Sequence, residues 1–180
     1  DGRGVVVGVD GLLVAAEAVE HDAAVVPRVL RVRVDVDLAV VAGDGVVEAV
    51  VIVRHFTPEG INDEMRPWMT MSMPRSARGM TVDTVPLNVV LGRAWMRLFG
   101  VIPIDYDALS IIELEPGRYF HERSTMASMR RWEHQRTLAA LDGGSTRVTD
   151  RITFEPRVPG VGAVFGRVLL AFFGHRHRRL

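Results

Sequence analysis

Residues 118–155 read RYFHERSTMASMRRWEHQRTLAALDGGSTRVTDRITFE, and the two-residue alternation in this stretch decides the fold. Asp142-Gly143-Gly144 interrupts a long run of strand-forming sequence, and glycine supplies the positive φ that a hairpin turn requires. A three-residue loop there pairs Leu141 with Ser145, which sets Leu138 opposite Val148, Arg136 opposite Asp150, His134 opposite Ile152 and Trp132 opposite Phe154. Even-numbered residues then share one face. A second short link, Ala127-Ser128-Met129, brings Phe120, Glu122, Ser124 and Met126 onto that face with Glu122 opposite His134. The odd positions Tyr119, His121, Arg123 and Thr125 are expected on a solvated face.

Working outward, strands are read at Leu109–Glu115, Arg118–Met126, Arg130–Leu141 and Ser145–Glu155, with Pro116-Gly117 as a tight turn; the result is an antiparallel meander. After it, Val161, Val164, Phe165, Val168, Leu169 and Phe172 recur at helical spacing, which predicts a long C-terminal helix beginning near Pro159. Its polar end, His175-Arg176-His177-Arg178-Arg179, reads first as a solvated terminus whose cations suit the helix dipole, with His175 and His177 as weaker candidates to bind a metal or anionic lipid headgroups. Upstream, Leu87, Leu91, Ala94, Trp95 and Leu98 before Gly100 predict an amphipathic helix. Residues Ile61 to Met73 predict a strand with Met65, Met69, Met71 and Met73 on one side, at an edge or bulge because of Pro67.

Residues 1–56 have a different texture, rich in Val, Ala and Gly with no Trp and Phe56 alone among phenylalanines. Leu30 to Leu38 alternates as a half-buried strand, and Val46 to Val53 follows the turn Ala42-Gly43-Asp44-Gly45 as a second. Two readings stand for residues 1–56: extra strands of the main sheet, or a poorly ordered extension beside a domain at 57–180.

The length of 180 residues and 48% apolar content are enough for a packed core. The 22 basic residues, all Arg, balance 22 acidic ones, so no global field draws the chain to nucleic acid or an anionic membrane. Cysteine is absent, which removes disulfides and thiolate chemistry and points to a cytoplasmic protein. The first apolar run lacks a basic leader, and no segment has the length of a spanning helix. Oligomeric state is not legible.

The even face carries Phe120, Met126, Trp132, Leu138, Val148, Ile152 and Phe154, and so looks inward; it also carries Glu122, Ser124, His134 and Asp150. Inward ionisable groups are costly unless they bond one another, water or a ligand. Either this cluster contacts a ligand, or it is a satisfied network in which Arg136 pairs with Asp150. Glu122, His134 and Asp150 at no recognised spacing are weak evidence for a metal, and Ser124 lacks the surroundings of an activated nucleophile. No metal or cofactor is expected.

Phe120-His121-Glu122-Arg123-Ser124, Arg131-Trp132-Glu133-His134, Thr149-Asp150-Arg151-Ile152 and the closing helix into Phe173-Gly174-His175-Arg176 together resemble the polyketide cyclase and START-related superfamily. The resemblance spans about residues 59–180. It implies an α+β helix-grip fold, a curved antiparallel sheet wrapped around a long C-terminal helix with an internal apolar cavity. On that carry-over Phe120, Glu122, Ser124, Met126, Trp132, His134, Asp150 and Phe154 line or border the pocket, and Phe165, Leu169 and Phe172 close it. The superfamily has more strands than the five read after residue 58, so either residues 30–53 supply the remainder or the count is short.

The function expected first is binding of a small, largely apolar molecule, lipid-like, polyketide-like or aromatic. The rival is a cofactor-independent aromatase or cyclase with Glu122 and His134 as acid and base. A structural or partner-binding domain without a pocket is the third reading.

Overall fold

The computed structural model describes residues 6–9, 12–17, 31–41, 57–141 and 145–179. Three strands come first, β1 (Val6–Val9), β2 (Leu12–Glu17) and β3 (Arg31–Val41). They are followed by α1 (Pro58–Met65), the short β4 (Met69–Met71) and a 3-10 turn at Arg75–Ala77. The meander is β5 (Val90–Leu98), β6 (Ile102–Glu115), β7 (Tyr119–Ser124), β8 (Met129–Leu141) and β9 (Ser145–Pro156), and α2 (Gly162–His177) closes the chain. One antiparallel sheet runs in the order β1-β2-β3-β9-β8-β7-β6-β5-β4.

The decisive register is the one the sequence predicts: Leu138 pairs with Val148, Arg136 with Asp150, His134 with Ile152 and Trp132 with Phe154. Glu122 lies opposite His134. The 142–144 turn lies outside the described residues, as does the strand expected at Val46–Val53 with the turn before it. The alternation read from Leu30 onward is a strand, β3, over its described residues 31–38, paired along β9 from Val32 opposite Phe154 to Val41 opposite Ser145. Strands from the N-terminal region thus continue the sheet beyond β9.

Two local expectations are corrected. Residues 90–98 form β5 rather than a helix. A bulge between Val90 and Gly92 shifts the pleat by one residue, so Leu91 and Ala94, both buried, fall three apart and imitate a helical period. Gly92 sits at φ 123°, and a side chain there would meet Pro74 Cβ at 3.1 Å, where the connection before β5 crosses the strand. Residues 61–73 are not one strand: 58–65 is helical, with Thr57 as N-cap accepting from the Gly60 amide at 3.0 Å and Pro58 in the first turn. Its buried face is Ile61, Glu64 and Met65, a helical i, i+3, i+4 set. Met69 and Met71 do enter a strand, at the sheet's β4 edge as Pro67 suggests.

The main core gathers Met126, Met129, Trp132, Ile152, Phe154 and Phe173, with Met96, Phe165, Leu169, Leu170 and Phe172 packed against it. Ile152 and Phe154 are wholly buried, worth about 1.5–3 kcal/mol each. A second cluster, Ala77, Leu91 and Ile111 with Met73, Met80, Val85, Leu109 and Leu114, packs the 72–89 connection onto β5 and β6. Of the predicted helix stripe, Phe165, Leu169 and Phe172 face the core, whereas Val164 and Val168 are exposed.

Candidate functional site

Phe120, Glu122 and Ser124 of β7, Trp132, His134, Arg136 and Leu138 of β8, and Val148, Asp150, Ile152 and Phe154 of β9 are buried, and the ionisable ones among them form a connected chain. Asp150, at 0% exposure, takes Arg136 Nε (2.8 Å) and His134 Nε2 (2.7 Å) on Oδ1, and Arg136 Nη2 (2.8 Å) and His177 Nε2 (2.6 Å) on Oδ2. Arg136 also reaches Glu64 on α1 at 3.3 Å through both terminal nitrogens, and Arg176 Nη2 holds Glu64 Oε2 at 2.7 Å. On the other side, His134 Nδ1 stands 3.9 Å from Glu122 Oε2, and Ser124 donates to Glu122 Oε1 at 2.9 Å. Asp107 on β6, also buried, adjoins Glu122 and Ser124, and its Oδ1 has no hydrogen-bond partner among the described residues.

Burial alone would raise Asp150, but the charge of Arg136 and the hydrogen bonds from Arg136 and His134 hold it well below the carboxylate range. Arg136 shows the mirror case, burial lowering it and Asp150 and Glu64 raising it further, so this wholly buried guanidinium stays charged. Desolvation drives His134 down to about 4, despite the pull of Asp150. An ionised carboxylate only accepts, so neutral His134 carries its proton on Nε2, and Nδ1 presents a lone pair toward Glu122. Glu122 is pushed well above the usual value by burial and by Asp107 beside it; burial also raises Asp107. A carboxyl raised by burial and by a second carboxyl beside it, facing a bare imidazole nitrogen, sets an acid next to a base. The 3.9 Å gap is too long for a hydrogen bond, so transfer needs closure or a bridging group.

Phe120 and Phe173 clamp the imidazole edge-on, at 4.9 and 5.2 Å between ring centres. In front of Phe120 and Glu122 lies a cavity of about 50 Å³, walled by Ile61 of α1, Met71, the 73–85 connection, and Leu91, Leu109 and Ile111 of the sheet. Among the described residues Glu122 is its one ionisable wall.

Of the sequence-predicted residues, Phe120 and Glu122 border this cavity, and Ser124, His134 and Asp150 stand behind them in the polar chain. Met126, Trp132, Phe154, Phe165, Leu169 and Phe172 belong instead to the packed core between sheet and α2. The cavity lies under the 73–85 connection, because aromatic side chains fill the space against α2. The expected solvated helix end is also corrected: Arg176 and His177 are buried and bonded to Glu64 and Asp150. Among the odd positions of β7, Arg123 is exposed, but His121 is buried beside Gln135. Sequence reasoning passed over Glu64, Asp107, Arg176 and His177. Arg176 continues the Phe165, Leu169, Phe172 row by one turn, and Glu64 shares a helix face with Ile61, so both carried a signal; Asp107 carried none.

Among the described residues no cluster of His, Asp and Glu is arranged to hold a metal ion, and no helix is long and apolar enough to cross a membrane. Residues 46–180 match the model of a family described as a domain of unknown function (DUF8410). No curated protein matches the sequence. Among solved structures, a START superfamily protein from Mycobacterium smegmatis is similar at TM-score 0.56 and 9% identity, over 82% of this chain and 92% of that one. The Mll3558 protein from Rhizobium loti is similar at TM-score 0.56 and 12% identity, over 84% and 99%. DynU16, from the dynemicin biosynthetic locus, is similar at TM-score 0.50 and 15% identity, over 81% and 46%. The fold is that of START and polyketide-cyclase-like proteins, an antiparallel sheet curled against a C-terminal helix.

Proposed function

The chain belongs to the DUF8410 family, and from that premise and the site's chemistry we propose that it binds a small, largely apolar molecule whose one polar group faces Glu122. The observation that carries this reading is the cavity in front of Glu122: methionine and aliphatic walls with one carboxyl at the back. Apolar walls supply affinity, and a convergent polar group orients the occupant. A carboxyl kept protonated both donates and accepts, which suits a hydroxyl or carbonyl on the ligand. At about 50 Å³ the cavity is far below the ~300 Å³ or more of a drug-sized site, so occupancy by a molecule of that size requires the 72–89 connection to move outward. Met73 and Met80 on that connection are unbranched side chains able to repack around an occupant.

The acid/base pair gives a second reading, an enzyme in which Glu122 donates a proton and His134 Nδ1 receives one, with Asp150 holding the imidazole's tautomer. Native mass spectrometry of the purified protein, followed by denaturation and identification of released compounds, tests the first. The expected result is a copurifying apolar compound whose retention falls in Glu122→Leu; a compound retained equally by that variant would remove Glu122 from the reading. Conversion of that compound by wild type but not by His134→Gln would move the assignment to the enzyme.

A further inference from the structure

A different face of the molecule carries large apolar side chains in water. Phe99 and Val101, at the tip of the β5–β6 hairpin, are 55% and 73% exposed, and Ile102, Ile104 and Trp68 are each at least half exposed. They form a patch around the end of α1: the Phe99 amide bonds the Trp68 carbonyl at 2.8 Å, and the two rings lie 6.1 Å apart. His175 of α2 completes it, 6.4 Å from the Trp68 ring, with Nε2 2.7 Å from the Arg66 carbonyl oxygen. Exposed apolar patches of this kind mark contact surfaces, since isolated surface residues do not cluster in this way.

The charged side chains that line the groove of this face are arginines. An open groove of about 510 Å³ beside Phe99 is lined by Arg66 and Arg97 with Asn62, Thr70 and Met71, and no acidic side chain among the described residues lines it. Among the described residues neither Arg66 nor Arg97 has an ion-pair partner, whereas the outer-face arginines Arg123 and Arg131 are both tied to Glu133. Arg178 and Arg179, exposed, follow immediately after the His175 turn. Tryptophan and phenylalanine beside unpaired arginines match the water–lipid boundary, where aromatic rings sit at headgroup depth and arginines meet anionic headgroups.

We propose that this face, Trp68, Phe99, Val101 and Ile102 with Arg66 and Arg97, docks the protein on an anionic phospholipid surface. The chain's balanced net charge makes the interaction local: the arginines of this face, and not a global field, supply the attraction. The proposal stands whatever occupies the cavity, although Met71 walls both the cavity and the groove, so the docking face adjoins the internal site.

The test is cosedimentation of the full chain with vesicles of phosphatidylcholine alone, or carrying about one-third phosphatidylserine, with free protein read by size-exclusion light scattering. Binding to the anionic vesicles is expected, at least about tenfold weaker on phosphatidylcholine and in the Arg66→Glu/Arg97→Glu variant, and weakened by salt. Phe99→Gly should weaken it too while keeping the fold, because φ of 51° at this position costs glycine nothing. Equal binding to both vesicles, wild-type binding by the arginine variant, or no vesicle binding with a dimer that Phe99→Gly dissolves would each overturn the proposal.

Discussion

At Asp150 every acceptor direction of a wholly buried carboxylate is used, by Arg136 twice and by His134 and His177 once each. A buried charge met in this way rigidifies its surroundings, and it also fixes the protonation of its neighbours. His134 loses its proton on folding, its pKa falling from an ordinary 6.5 to about 4. Between those values the unfolded chain binds a proton that the folded one refuses, so stability declines as pH falls from 6.5 toward 4, by about 3 kcal/mol over the window. Glu122 acts in the opposite sense. Its folded pKa lies well above 4.5, so the fold keeps a proton that the unfolded chain releases, and its contribution is lost as pH rises above that ordinary value. Glu122→Gln removes this loss. In urea unfolding the variant's stability relative to wild type should rise from pH 5 to pH 8, and a wild-type advantage growing with pH would show that Glu122 is not held protonated. His134→Gln should flatten the decline below pH 6.5; an unchanged acid limb would assign it elsewhere. That Glu122, His134, Arg136 and Asp150 share one face was legible from alternation and one turn, but their charge states were not, because burial and a neighbouring carboxylate push an imidazole in opposite directions.

Elements show where a one-dimensional reading fails. Strands β7, β8 and β9 were legible because short links fix their register, while β5 was misread because a bulge gave Leu91 and Ala94 a helical spacing. The end of α2 was misread for another reason. Arg and His at a helix terminus look solvated, and the acids that receive them, Glu64 and Asp150, lie 112 and 27 residues away in sequence. In the fold this last turn is a polar plug: Arg176 closes over Glu64 with its guanidinium carbon 4.8 Å from the Phe173 ring centre, and His177 occupies the last face of Asp150. Arg176→Met removes the guanidinium 2.7 Å from buried Glu64 and leaves that of Arg136 at 3.3 Å. The loss should be about 3 kcal/mol or more, as for other buried ion pairs stripped of one partner. Arg178, exposed one turn-step later, is the control, and Arg178→Ala should change stability by less than about 0.5 kcal/mol. Denaturant midpoints of the two variants decide the matter; equal, small losses would mean that the helix end is solvated as the sequence alone suggests.

Across the whole molecule, two kinds of structure meet at the cavity. The sheet is held by long ladders between distant residues, β8 with β9 and β3 with β9 among them. The 72–89 connection is held differently. Its hydrogen bonds are mostly to itself, as Ala77 to Pro74, Met80 to Ala77, and Thr84 and Val85 to Thr81. Apart from the two Ser72–Trp95 bonds at its start, two bonds among the described residues tie it to the sheet, Ser76 Oγ to the Leu91 carbonyl and the Asn88 amide to the Ile111 carbonyl. Under it lie partly buried methionines rather than interlocked aromatics. Local opening therefore requires little: two tethers and a small apolar contact, against the full cooperative cost of separating β8 from β9. Hydrogen exchange read by peptide should find the amides of residues 75–87 exchanging orders of magnitude faster than those of 131–138 and 148–154. Ser76→Ala, which removes one tether, should speed the first set and leave the second unchanged. An apolar occupant of the cavity should slow the first set alone, since it adds contacts beneath the connection and none within the β8–β9 ladder. Equal protection of the two regions would mean that the connection is part of the rigid core, and then a cavity of about 50 Å³ is the full size of the site.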